Sequence, residues 1–145
     1  LKIATALLIV STCNLAHADE IAERIAVQRS TNLVTAITKG ERDLRKALSY
    51  GDEKGFAMEV TRPMARQLQW WHELEQQNSK EFAQYQSCSN AAFAFNQYGV
   101  DHWDVPTLAR DRRIDEGQKT YTSELKQCRR ALKRGSAYAH TIIRS

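Results

Sequence analysis

Asp101-His102-Trp103-Asp104 sets a histidine between two carboxylates. A side chain that titrates near neutrality in such company can serve as a general base or a pH switch. Consecutive residues project in different directions, however, and neither a nucleophile nor a second histidine stands at a recognisable spacing. The cluster therefore reads either as plain loop chemistry or as a binding loop, with Asp101, His102, Trp103 and Asp104 as the candidate contact residues. His72 and Glu75 are three apart, with Glu73 adjoining. Di-iron bundles use Glu-x-x-His pairs repeated on two helices; here the order is reversed and nothing repeats it, which leaves a solvated helix face. His140 stands alone. There is no C-x-x-C-H haem attachment site, no Gly-rich phosphate loop, no G-x-S-x-G and no H-E-x-x-H. The helix expected over 19–50 holds neither Met nor His to ligate a haem. No catalytic residue, cofactor or metal is expected, and the chain reads as a binding protein rather than an enzyme.

The cysteines carry the other recognisable chemistry, and their meaning depends on compartment. Residues 1–18 open with Leu1-Lys2, run apolar from Ile3 to Val10 and reach Ala16-His17-Ala18 before Asp19-Glu20. A charged start, an apolar core and a small-residue A-x-A site are the marks of a cleaved secretory signal peptide. The apolar run is far short of the roughly 20 residues that span a bilayer. Cys13 follows Thr12, a poor fit to the small residue that precedes a lipidated cysteine, so cleavage after Ala18 and loss of Cys13 are expected. The domain is then 19–145, exported to the periplasm. Two cysteines remain, Cys88 and Cys128, and in an oxidising compartment they are expected to form one bridge. Closing a loop of that size stabilises the fold by about 4 kcal/mol through the unfolded state.

The elements that must position these groups are helical. Prolines number two and glycines six in 145 residues, and the chain is rich in Ala, Gln, Arg, Glu and Leu, which favour helix over sheet. Ile21, Ile25, Leu33, Ile37, Leu44 and Leu48 share one face of a first helix over 19–50, ended by Gly51. Asp52 is the expected N-cap of a second helix with the stripe Phe56, Val60, Met64, Leu68, Trp71 and Glu75, kinked or restarted at Pro63. A third is expected from Asn78, with Glu81 as its capping-box partner. It carries Phe82, Tyr85, Cys88, Ala92 and Phe95 inward, with Phe93 and Tyr98 widening that face, and stops at Gly99. The fourth carries Tyr121, Leu125, Cys128 and Leu132, and closes at Gly135. If residues equally far from the turn face each other, Cys128 lies about ten residues into its helix. Residues 100–116 are then an irregular connection with a short helix of its own and a break near Asp115 to Gly117. The whole is expected to be an all-α, single-domain antiparallel bundle of about four helices.

Charge is uneven. Residues 110–145 carry ten basic and four acidic side chains, whereas 52–109 carry four and eight. The basic segment either packs beside the acidic one or meets an anionic lipid or glycan. Export disfavours nucleic acid. The general build is similar to that of exported immunity proteins, lysozyme inhibitors and small stress chaperones, although motifs such as L-T-x-x-Q are absent. The expected function is to bind a macromolecular partner, as an inhibitor or toxin-immunity protein does. Asp101 to Asp104, Trp70, Arg110, Arg112 and Arg113 are the expected contact surface. The alternative is a small-ligand or anionic envelope-binding module that uses a cavity between helices.

Overall fold

The structure, a computed structural model, describes the backbone of residues 4–142 and the side chains of residues 18–135. The side chains of the expected leader, Cys13 included, and those of Tyr138, Ile142 and Ile143 lie outside the described residues. The chain runs α1 (Ala4–Tyr50), α2 (Glu53–Phe56), a π-helical turn (Ala57–Thr61), α3 (Arg62–Gln77), α4 (Ser79–Ala83), α5 (Gln86–Asp101) and α6 (Leu108–Ile142). Among the described residues there is no strand, and no helix is long and apolar enough to cross a membrane.

The inner face of α1 keeps Leu33, Ile37 and Leu44 as expected but is otherwise different. Ala22, Ala26, Ser30, Leu33, Ile37, Gly40, Leu44 and Ala47 are buried at steps of three or four, whereas Ile21 and Leu48 are exposed. Small residues make that seam, so neighbouring helices come close. At Gly40 an added Cβ would lie 2.6 Å from the Phe95 ring. Buried Ser30 costs little because its hydroxyl donates to the Ala26 carbonyl at 2.7 Å.

Gly51 ends α1 at φ +66°, and the Asp52 N–H donates to the Ala47 carbonyl at 2.9 Å, a Schellman closure. Asp52 also caps α2, its carboxylate accepting the Gly55 N–H at 2.9 Å. The run from α2 to α3 is unbroken. Pro63 lacks an N–H and its ring crowds the carbonyl four residues back; the wider π turn over Ala57–Thr61 makes room there. Phe56, Val60, Met64 and Trp71 are buried as expected.

Asn78 occupies the N-cap position of the next helix, α4, as expected, but its side-chain amide donates to the Leu74 carbonyl at 3.0 Å and finishes α3 rather than capping α4. The helix that follows is split at Gln84–Tyr85. Two expected boundaries are corrected. Gly99 does not end α5; it lies buried inside it, where an added Cβ would come within 2.5 Å of the Phe56 ring. Gly135 does not end α6 either, since its missing side chain makes room for the Tyr85 hydroxyl.

The largest correction concerns 100–116. Only 102–107 is non-helical, and α6 runs unbroken from Leu108. The expectation assumed that the connection occupies no length along the helix axis. An extended chain advances about 3.3 Å per residue and a helix 1.5 Å. Six connecting residues therefore span the first two turns of α6, which overshoot the end of α5.

Cys88 and Cys128 form the disulfide, with Cα atoms 4.7 Å apart, and fix α5 and α6 in antiparallel register. Neighbouring contacts agree: Tyr98 lies against Gly117, and Asp101 pairs with Arg113. α1 runs parallel to α5, as the pairings Glu23 with Tyr85 and Gly40 with Phe95 show. It runs antiparallel to α3, with Arg29 over Trp70 and Gly40 beside Val60. Core aromatics meet edge to face, Trp71 on Phe82 at 4.7 Å and Phe95 on Tyr121 at 5.3 Å.

Candidate functional site: the tip of the α5–α6 hairpin

The expected contact residues from Asp101 to Arg113 converge at one tip, held by a charged clamp. Asp101, the last residue of α5, is only 4% exposed. It accepts hydrogen bonds from Gln97 Nε2 and Arg113 Nε, each at 3.2 Å. The other arm of Arg113 donates from Nη2 to Asp104 Oδ2 at 2.6 Å. One planar guanidinium thus bridges the helix end to the middle of the connection, a use for which its fixed fork suits Arg over Lys. The Asp101 hydrogen bond, reinforced by the charges of both carboxylates, raises the Arg113 pKa above its ordinary value. Arg110 Nη1 adds a bond to the Asp104 carbonyl at 3.3 Å while its head pairs with Asp111 at 2.8 Å. Thr107, preceded by Pro106, caps α6 by accepting the Arg110 N–H at 3.0 Å.

His102 and Trp103 turn out to be scaffold rather than display. Both are half-buried. The His102 ring stands edge-on to Tyr98 at 4.8 Å, and Trp103 packs on Phe56 at 6.3 Å. Burial, followed by the positive charge of Arg110, lowers the His102 pKa below its ordinary value, although Asp101 pulls it the other way. The large groups that the tip shows to solvent are Val105 and Leu108, 77% and 80% exposed, beside exposed Asp104 and Arg112. Sequence reading passed over Val105 and Leu108 as turn chemistry. The available signal was two aliphatics around Pro106-Thr107 with no helical partner.

Trp70 is not part of this site. It is 48% exposed, with the Arg29 guanidinium 5.5 Å above its ring. Arg29 lies about 28 Å along α1 from the end that meets the tip, at 1.5 Å per residue.

Two adjoining grooves of about 330 and 360 Å³ lie between α1 and the α2–α3 run. Both have a mixed lining, with Lys39, Asp43 and Glu59 shared between them and apolar groups such as Phe56 in one and Val60 and Met64 in the other. Among the described residues no three His, Cys, Asp or Glu side chains gather as a metal would require. The fold and site define an all-helical protein with a Cys88–Cys128 disulfide. Comparison of the chain with family models, curated proteins and solved structures gives no match.

Proposed function

We propose that this chain is an exported, periplasmic protein that binds a macromolecular partner at the α5–α6 tip, in the manner of an inhibitor or toxin-neutralising protein. Its fold in this reading is one antiparallel bundle of about four helices, carried on residues 19–145. The observation that supports it is the pairing of a fixed backbone with exposed apolar groups. Arg113 and Arg110 tie residues 101–104 in place while Val105 and Leu108 project into solvent. A connection already held in its bound shape loses little entropy on binding, and exposed aliphatics at its centre supply the desolvated contact. Catalysis has less support, because His102 is packed on Tyr98 with a lowered pKa and no nucleophile adjoins it.

The test is affinity capture from a periplasmic extract with the native protein and with Val105→Ser plus Leu108→Ser. One stoichiometric protein partner, lost in the double variant, is the expected result. A partner retained at native yield would place its surface elsewhere.

A second reading rests on the basic side of α6, where Lys126, Arg129, Arg130, Lys133 and Arg134 are all exposed. Such a side attracts lipid phosphate or an anionic glycan through long-range charge. Binding to anionic vesicles that disappears at high salt, in a protein with no tip partner, would favour it.

A further inference from the structure

We infer that the outer face of α5 is a self-association surface whose occupant is a second copy of this chain. From Phe82 to Val100 the sequence runs nineteen residues without a charged side chain, in a chain that is 26% charged. Part of that run is core, since Cys88, Ala91, Ala92, Phe95 and Gly99 are buried. Burial does not account for the opposite side. Gln86, Asn90, Phe93, Gln97 and Val100 are exposed, and recur at steps of four, three, four and three. That spacing draws one straight stripe about 21 Å long, the seam that paired helices use. Phe93, at its centre, is 66% exposed, on the side opposite the inner face that its spacing predicts.

On α6 the register set by Cys88 and Cys128 brings exposed, uncharged Thr120, Ser123 and Gln127 level with the middle of α5, with the charged, half-buried Glu124 among them. Arg129 and Lys133 lie more than about 100° round α6 from Thr120 and Gln127, at 100° per residue.

Absence of charge points to a copy rather than a foreign protein. In a two-fold interface, a residue near the axis meets itself, so any charge there meets its like. A foreign partner carries no such restriction, because it can answer a charge with the opposite one. The stripe is also close to symmetric about Phe93. Antiparallel apposition of two copies sets Phe93 on Phe93, Asn90 beside Gln97, and Gln86 beside Val100. Carboxamides both donate and accept, so Asn90 and Gln97 can pair across the seam. The surface shares only Gln97, which also donates to Asp101, with the clamp at the tip, and a dimer leaves Val105 and Leu108 open.

The test is sedimentation equilibrium on the full chain over about 2–200 µM, the range suited to a small interface. A reversible monomer–dimer equilibrium is expected. Phe93→Glu weakens it roughly hundredfold by placing two carboxylates near the axis, with helicity unchanged because Phe93 touches little of the core. Asn90→Lys, on the same stripe, is the second variant and weakens it in the same direction. A native chain that stays monomeric at every concentration overturns the inference. So does a dimer that both variants leave intact, or a Phe93 surface that binds a membrane or another protein while the chain is monomeric.

Discussion

The middle and the tip of the α5–α6 hairpin are built from the same two helices but held by different forces. In the middle, a disulfide and close-packed aromatics do the holding: Cys88–Cys128, then Phe95, Tyr98 and Tyr121 with ring centroids 5.2–6.3 Å apart. That region is buried and gains its stability from area removed from water. At the tip, one arginine fork and one buried carboxylate do it. Charge-assisted bonds on a half-exposed arginine add little to global stability, but they are directional, so they fix a shape. The lesson is that the hairpin separates the residues that make it fold from those that shape its exposed end.

The largest effect expected belongs to the middle. Cys88→Ala with Cys128→Ala lowers unfolding free energy by about 4 kcal/mol, read by denaturant titration, whereas Asp101→Ala falls well short of that. Equal losses would erase the distinction drawn here. Gly99→Ala comes next: the new methyl group meets the Phe56 ring at 2.5 Å, and overpacking of that kind costs about 1–3 kcal/mol. Gly51→Ala, at φ +66° with open space around it, costs only about 1 kcal/mol in backbone strain. Asp101→Ala sharpens the contrast from the other side. It leaves the melting temperature nearly unchanged, yet amide exchange over 102–107 rises roughly tenfold as the connection opens locally.

The pH dependence is the smallest effect and differs between the two regions. At the tip, the lowered His102 pKa means that the folded state resists protonation. Its contribution is complete above about pH 6.5 and is lost as pH falls through the folded value; His102→Gln flattens that limb. In the middle, burial and nearby Glu41 push Tyr121 up to about 12. Burial likewise raises Tyr98, with Glu41 adding and Arg45 opposing, and raises Tyr85, which donates to Glu23 at 2.6 Å. Stability there is complete below about pH 10 and is lost as pH climbs through about 12. Ultraviolet titration should show Tyr85, Tyr98 and Tyr121 ionising above the usual tyrosine range.

Much of this arrangement is legible in the residue types. The paired cysteines, the Asp52 cap and the stripe from Phe56 to Trp71 all rest on local chemistry or simple period, and the structure contains each of them. What was illegible depends on neighbours. The inner face of α1 falls on Ala22, Ala26, Ser30 and Gly40, whose burial is decided by the helix that approaches, not by their own hydrophobicity. Gly99 and Gly135 read as helix ends because glycine usually breaks helices; here each makes room for an aromatic ring from elsewhere. At the tip the charged residues were recognisable, but the exposure of Trp103 was not; it is half-buried on Phe56, leaving Val105 and Leu108 as the groups on show.

The most direct measurement is a hydrogen-exchange footprint of the protein with and without its captured partner, read peptide by peptide. New protection confined to residues 103–112, with the α1–α3 grooves and the α5 stripe unchanged, is the expected result. Protection centred on the grooves, with the tip exchanging as in the free chain, would contradict the account.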